Sequence, residues 1–279
     1  MRVSETIDGF RGLASGLDRP LGLVPTMGSL HDGHMSLVRR ARAESATLAM
    51  SIFVNPTQFG PKEDYASYPR DMDADYARLE EAGVDLVLAP PTEEMYPAVF
   101  TTRVDVGDLA ERLEGASRPG HFVGVATVVT KLLSIVRPDT AYFGQKDAQQ
   151  GMVIQRLNAD LNLGARIVLC PTVREADGLA LSSRNAALNA DERRAATVLF
   201  RALSAAVGMG IGDAEPIRRR MREIIETEPL AELDYVSIGD PQTLGELDTV
   251  TGPSLALVAV RIGKTRLIDN MFFETPIGA

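Results

Sequence analysis

The stretch LVPTMGSLHDGHMSLVRRA, residues 23–41, holds the reading that decides the fold. Its first residues complete an apolar run, LGLVPT at 21–26, with the length and character of a buried strand. The run ends in Thr26, Met27 and Gly28. His31 and His34 follow with Gly33 between them, and helical periodicity begins at His34. A strand that turns through glycine into a helix is the repeating unit of a parallel sheet. The chain has three histidines, and two of them stand in this one turn.

The alternation continues outward. Apolar runs TLAMSIFV (47–54), VDLVLAP (84–90), TAYFG (140–144) and ARIVLC (165–170) read as strands. Between them lie the amphipathic segments HMSLVRRARAES, DMDADYARLEEAG, VGVATVVTKLLSIVRP and DAQQGMVIQRLNADLNLG. In the second of these Tyr76, Leu79 and Ala82 share a helical face and Gly83 marks the stop. Near-continuous apolar strands separated by helices predict a parallel sheet covered on both faces, a doubly wound, Rossmann-like α/β domain. After Pro171 the pattern changes. NADERRAATVLFRALSAAVGMG and DAEPIRRRMREIIETEP read as helices jointed at Gly208, Gly210 and Gly212; LDYVSIGD, LDTVTG, SLALVAVRIG and TRLIDN read as short strands. The expected division is a Rossmann-like domain over 1–172 and a smaller α+β domain over 173–279.

With 279 residues the chain is long enough to bury a sizeable core. A formal net charge of −9 argues against nucleic-acid or membrane-surface partners, both polyanionic. An anionic substrate therefore needs a local basic pocket. One cysteine, Cys170, excludes an intrachain disulfide and fits a reducing compartment. No apolar run nears the roughly 20 residues that span a bilayer, and the N-terminal residues lack the apolar core of a signal peptide. The expectation is a soluble cytoplasmic protein.

In a doubly wound sheet, ligands gather beyond the carboxyl ends of the strands. The turn with Gly28, His31, Asp32, Gly33 and His34 stands at such an end and opens a helix, whose free N–H groups and positive dipole end suit phosphate. Two imidazoles there can donate to polyphosphate oxygens and stabilise charge that builds up during phosphoryl-type transfer. The alternative is that one histidine caps the helix and the other sits on a solvated face. Metal binding is a weaker reading, because no cysteine or third histidine lies nearby. The geometry repeats in FGQKDAQQ. Gly144 turns the chain, Lys146 is placed to meet phosphate as a point charge, Asp147 to accept from a ribose, and Gln150 lies one turn on. An exposed Lys-Asp pair at a helix start is the plainer alternative.

PTVREADGLALSSRN, residues 171–185, reads as a mobile polar loop that can close over a triphosphate with Arg184 as its cationic finger, or as an ordinary turn before a helix. FVNPTQF offers neutral amides, Asn55 and Gln58, at a strand end, suited to a small substrate with hydroxyls and a carboxylate. Arg118 and His121 in RPGHF can attract an anion or be satisfied within their loop.

PTMGSLHDGH, FVNPTQF, YPRD, FGQKDAQQ, PTVREADGLALSSRN and LIDN, in this order from about residue 23 to 270, together resemble the pantothenate synthetase (pantoate–β-alanine ligase) family. That family belongs to the HIGH-type nucleotidyltransferase superfamily; His-x-x-His stands for the HIGH signature, and the Ser-Ser-Arg loop is similar to the Lys-Met-Ser-Lys-Ser loop. The resemblance implies that pantoate attacks the α-phosphate of Mg-ATP to give pantoyl adenylate, and that β-alanine then displaces AMP. It implies that Met27, Gly28, Ser29, Leu30, His31, Asp32, Gly33 and His34 line the ATP site, His34 as proton donor and His31 as phosphate partner. Gln58 and Gln150 would hold pantoate, with Asn55 near the reacting centre. Gly144, Gln145, Lys146 and Asp147 would contact nucleotide and Val173 the adenine, while Leu181, Ser182, Ser183 and Arg184 close over the phosphates as part of a C-terminal lid. Asp75 matches an acidic position near the Mg2+, and a homodimer is implied. The chain departs from the family pattern at Gln145 (commonly Glu), Leu181 (commonly Met), Ala148 (often aromatic) and Ala74, which interrupts an acidic run. Rival readings are another nucleotidyltransferase of the superfamily, an aminoacyl-tRNA synthetase relative and a non-catalytic nucleotide sensor.

Overall fold

The computed structural model describes residues 1–60, 65, 66 and 68–273. The chain divides into two compact units, 1–144 with 149–171, and 145–148 with the residues from 172 onward.

The first unit runs β1 (Arg2–Ser4), α1 (Ile7–Ala14), β2 (Leu21–Thr26), α2 (Asp32–Glu44), β3 (Thr47–Ile52), α3 (Met72–Glu81), β4 (Leu86–Leu88), the single turns α4 (Thr92–Met95) and α5 (Glu114–Ser117), α6 (His121–Val136), β5 (Thr140–Gly144), α7 (Ala148–Asp160) and β6 (Arg166–Cys170). Its six strands form one sheet in the order β1-β4-β3-β2-β5-β6, every pair parallel. All five strands expected from the apolar runs are present. The three-residue edge strand β1 and helix α1 are additions: β1 is too short to show a pattern, whereas Ile7, Phe10, Leu13 and Ala14 do stand at helical spacing in α1 and pack on the core.

Side-chain alternation sorts each strand between two cores, as the period of two demands. Leu23, Ala49, Leu86, Leu88, Ala141 and Phe143 pack under α1, α6 and α7 with Phe10, Leu132, Ile154 and Leu157. The intervening Val24, Leu48, Met50, Val87, Tyr142 and Val168 pack under α2 and α3 with Val38 and Leu79. From β2 the chain winds one way to β3 and β4, then returns to β5 on the other side of β2 and on to β6. That reversal puts the topological switch point at the carboxyl ends of β2 and β5, where doubly wound sheets bind ligands.

The second unit holds α8 (Ala190–Ala195), α9 (Val198–Met209), β7 (Gly212–Asp213), α10 (Ala214–Glu226), β8 (Ala231–Gly239), β9 (Thr249–Val250), β10 (Leu255–Ile262) and β11 (Thr265–Phe272). The single helix expected over 189–210 is two, and Thr197 Oγ1 donates to the Arg194 carbonyl at the break. An antiparallel sheet β11-β10-β8 and the small pair β7-β9 complete an α+β arrangement. Leu199, Leu203, Ile217, Met221, Ile238, Val258 and Val260 form its core. The β10–β11 hairpin turns through Gly263 at φ 56°, which favours glycine.

Candidate functional site

The β2–α2 turn is built from within the chain and from α3. Thr26 Oγ1 donates to the Ser51 carbonyl and accepts the Gly28 amide. Gly28 has φ 81°, and a Cβ there would press on Asp75 Oδ2 at 2.9 Å and on Ile52. Asp75, buried on α3, accepts the amides of Ser29 and Leu30, one per carboxylate oxygen, both at 2.8 Å. Arg78, one turn on, donates to the Leu30 carbonyl at 3.0 Å. The Leu30 peptides are therefore clamped from both sides. Asp32, exposed, opens α2.

Helix α2 begins at Asp32, two residues ahead of the expected start, with His31 as its N-cap. His31 Nδ1 accepts the Gly33 amide at 3.1 Å, and His34 Nδ1 accepts the His31 amide at 3.4 Å. This is a capping box made from two imidazoles, whose ring centroids lie 4.1 Å apart. A ring nitrogen that accepts an amide carries no proton, so in each neutral ring the proton sits on Nε2. Capping thus engages only the Nδ1 edge of each ring.

At the end of β3, Asn55 is buried and its amide is heavily used. Oδ1 accepts from the Tyr96 hydroxyl (2.8 Å) and Thr57 Oγ1 (2.9 Å); Nδ2 donates to Gln58 Oε1 (3.0 Å) and the Gly124 carbonyl (3.1 Å). Burial pushes the Tyr96 phenol above its ordinary value, so it stays a donor. Gln58 Nε2 points to Met27 Sδ at 3.2 Å, joining the β3 turn to the β2 turn. His121, read as a possible anion contact, is tied inward. Its Nδ1 donates to the Gln58 carbonyl at 2.8 Å, which leaves Nε2 to accept from Arg118 at 3.0 Å. Gln150 is half-buried on α7, whereas its neighbour Gln149 is buried, donates to the Leu109 and Arg112 carbonyls and accepts the Glu114 amide. A cleft of about 460 Å³ at the ends of β2, β3 and β4 is lined by Met27, Gly28, Phe53, Arg70 and Asp75.

Gly144 ends β5 in the first unit, but the next residues pack in the second. Gln145–Asp147 form one 3-10 turn in which Lys146 Nζ lies 3.6 Å from Asp147. Asn270 of β11, buried, donates from Nδ2 to the carbonyls of Gln145 (2.9 Å) and Lys146 (2.8 Å). Beside it Asp269 and Arg174 form a bidentate pair at 2.6 and 3.0 Å. Burial pushes the Asp269 carboxyl up, against the pull of Arg174.

In the stretch read as a mobile loop or an ordinary turn before a helix, residues 173–181 form a tied hairpin. Arg174 and Ala180 are bridged antiparallel, Leu181 donates its amide to Val173, and Arg174 also donates to the Gly178 carbonyl. Arg193 pairs with Glu175 and Asp177. Ser182 caps the turn that follows by accepting the Arg184 amide; Ser182 and Ser183 are half-buried and Arg184 is exposed.

Asp75 is held as a clamp: each of its oxygens accepts one backbone amide, and each keeps a lone pair that the amides do not use. Among the described residues no group of three or more His, Cys, Asp or Glu side chains is placed to hold a metal ion. Sequence reasoning missed Asp75 and Arg78 as clamps of the histidine turn, Tyr96 as the donor behind Asn55, and Arg174 and Asn270. Their partners are mostly backbone groups far along the chain, which leave no local signal.

A family model described as pantoate-beta-alanine ligase matches residues 2–272. A pantothenate synthetase of Roseiflexus sp. (strain RS-1) is 60% identical over 279 residues, covering 98% of this chain and 100% of the relative. One from Dehalococcoides mccartyi (strain ATCC BAA-2266 / KCTC 15142 / 195) is 57% identical over 256 residues, 91% of this chain and 96% of the relative. The crystal structure of pantothenate synthetase from Thermus thermophilus is similar with a TM-score of 0.94 at 48% identity, covering 99% of this chain and 100% of that one. A pantoate-beta-alanine ligase from Francisella tularensis, complexed with beta-gamma ATP and beta-alanine, is similar with a TM-score of 0.82 at 36% identity, covering 99% and 98%. With its parallel sheet, its His-x-x-His turn and near full-length matches on both counts, the chain belongs to the pantoate–β-alanine ligase family.

Proposed function

We propose that this chain condenses pantoate with β-alanine in two steps. The pantoate carboxylate attacks the α-phosphorus of ATP, forming a P–O bond as the bond to pyrophosphate breaks. The β-alanine amine then attacks the acyl carbon of pantoyl adenylate, forms the amide, and AMP leaves. The single observation that carries this reading is the two-imidazole cap of α2, in which each Nδ1 accepts a backbone amide and so directs the N–H of a neutral ring to Nε2, at a helix N-terminus that follows the switch-point strand. In-line attack at phosphorus asks for positioning and charge stabilisation more than for a protein nucleophile. A neutral Nε2–H that donates to a phosphate oxygen supplies this without a proton leaving the ring, so His34 serves as hydrogen-bond donor and His31 as its partner on phosphate.

Met27, Gly28, Ser29, Leu30, Asp32 and Gly33 line the nucleotide side of this turn. Gln58 and Gln150 hold pantoate; Asn55 sets the Gln58 amide rather than contacting substrate, since its own amide is used. In the second unit Lys146 meets phosphate, Asp147 the ribose and Val173 the adenine, and Leu181, Ser182, Ser183 and Arg184 face the phosphates. Mg2+ arrives as the ATP complex, held by phosphate oxygens, as this ion commonly is. The resemblance supports a homodimer. The buried, free Cys170 supports a reducing, cytoplasmic setting, and no described helix is long and apolar enough to cross a membrane.

Incubation with ATP, pantoate and Mg2+, with and without β-alanine, tests the reading. Without β-alanine, pyrophosphate is expected; with it, AMP and pantothenate. Absence of pantoate-dependent pyrophosphate release overturns it.

A further inference from the structure

We propose that Asn270 is the positioning residue of Lys146. The inference rests on the proposed role of Lys146 as a phosphate contact and adds what fixes that lysine in place. A primary amide has two N–H bonds, and Asn270 Nδ2 donates to two successive carbonyls, Gln145 at 2.9 Å and Lys146 at 2.8 Å. These carbonyls flank the Lys146 α-carbon, one in the peptide before it and one in the peptide after, so the clamp sets the direction in which the lysine side chain leaves the turn. Asn270 is itself held. Its side chain is buried, its strand is paired along β10, its carbonyl accepts Arg174 Nη2 at 3.2 Å, and its amide meets Asp269 Oδ1 at 2.8 Å. Arg174 closes bidentately on Asp269, and through Gly178 it also holds the hairpin that precedes Ser182.

The clamp has a plain physical reason. A 3-10 turn of three residues between a strand and a helix has poor internal hydrogen-bond geometry and is weakly defined on its own. A cation that must meet a developing charge needs its position fixed before reaction. A long-range donor that ties two carbonyls at once provides that, at a sequence distance of about 125 residues.

Asn270→Ala removes both donors; Asn270→Leu removes them while keeping the volume and adding no charge. Each is compared with wild type, alone and in a Lys146→Ala background, by pantoate-dependent ATP–pyrophosphate exchange. Deuterium uptake of the backbone amides at 145–150 is followed in the same proteins. Both variants are expected to lower kcat of exchange by about 10–100-fold, the scale of a misplacement near 1 Å. The pantoate KM should stay within about threefold, and 145–150 should take up deuterium faster. In the Lys146→Ala background the further loss should be under about twofold, because the two residues act as one unit. A full additional loss in that background, or unchanged deuterium uptake at 145–150, overturns the proposal. If wild type itself shows no exchange, the two-step reaction falls, and deuterium uptake alone decides the clamp.

Discussion

His34 Nδ1 accepts the backbone amide of His31 at 3.4 Å, while His31 Nδ1 accepts that of Gly33. The two side chains therefore have a structural and a chemical end, and substitution can separate them. His34→Glu retains a capping-box acceptor at N3 and adds a negative charge where the helix dipole favours one. Its unfolding free energy should stay within about 1 kcal/mol of wild type, while pyrophosphate exchange falls by roughly 10²–10³-fold through loss of the Nε2 donor. Exchange at the wild-type rate would reassign His34 to capping alone. Denaturant unfolding and isotope exchange measure the two.

Lys146→Ala removes the cation from the 3-10 turn. Adenylation should slow by about 10²–10³-fold, with stability changed by no more than about 0.5 kcal/mol, since the lost pair with Asp147 is a weak one. Ordinary single-turnover rates for this variant would sink its assignment to phosphate.

Asp75→Asn keeps the shape and one acceptor but loses the charge that meets two amides. The cost should be about 1–3 kcal/mol in denaturant unfolding. The Mg2+ concentration for half-maximal activity should be unchanged within about threefold, as expected if metal binding is by substrate phosphates. A tenfold or larger rise in that concentration would return Asp75 to the metal.

Gly124 lies where a Cβ would overlap the Thr57 carbonyl and press on the Gln58 amide. Gly124→Ala forces α6 and the 55–58 turn apart, costing about 1–3 kcal/mol as overpacking does. Because Gln58 moves with that turn, the pantoate KM should rise more than the ATP KM. Equal rises, in steady-state kinetics with each substrate varied, would separate Gln58 from pantoate.

Arg193 hydrogen-bonds the Asp177 carboxyl and holds it below the ordinary carboxylate range. A carboxyl lowered in the folded state contributes its full stability above the unfolded value near pH 4 and loses it as pH falls through the lowered value. The Tm difference between wild type and Asp177→Asn should therefore be largest near neutrality and shrink on acidification. A difference that widens below about pH 4 has the wrong sign for this pair.

The sheet was legible because its strands are buried on both faces: Leu23 and Val24 go to opposite cores, so the run has no polar gap to hide it. β1 was not, since it is three residues long at an edge. The histidine turn was legible as a helix mouth, and the alternative reading of one cap and one solvated side chain is half met: both imidazoles take part in the cap, and both are half-buried. The clamp made by Asp75 could not be read from sequence. Its acidity suggests a cation, but its partners are backbone amides about 46 residues away, and amides carry no letter in a sequence. The same holds for Asn270. Arg118 and His121 read equally as an anion contact or as satisfied within their loop, and their hydrogen bonds to the Gln58 carbonyl and to each other match the second reading.

The placement of 145–148 in the second unit bears on how this chain can be taken apart. The backbone passes from one unit to the other at 144/145, 148/149 and 171/172, so no single cut separates them. A fragment that starts at 172 would leave the Asn270 amide with two donors and neither of its carbonyls. A fragment that ends at 171 would keep Lys146 with nothing to hold its turn. Split versions of this ligase should therefore recover activity only when both pieces are present together, and circular permutants should tolerate new ends at 171/172 far better than at either side of Lys146.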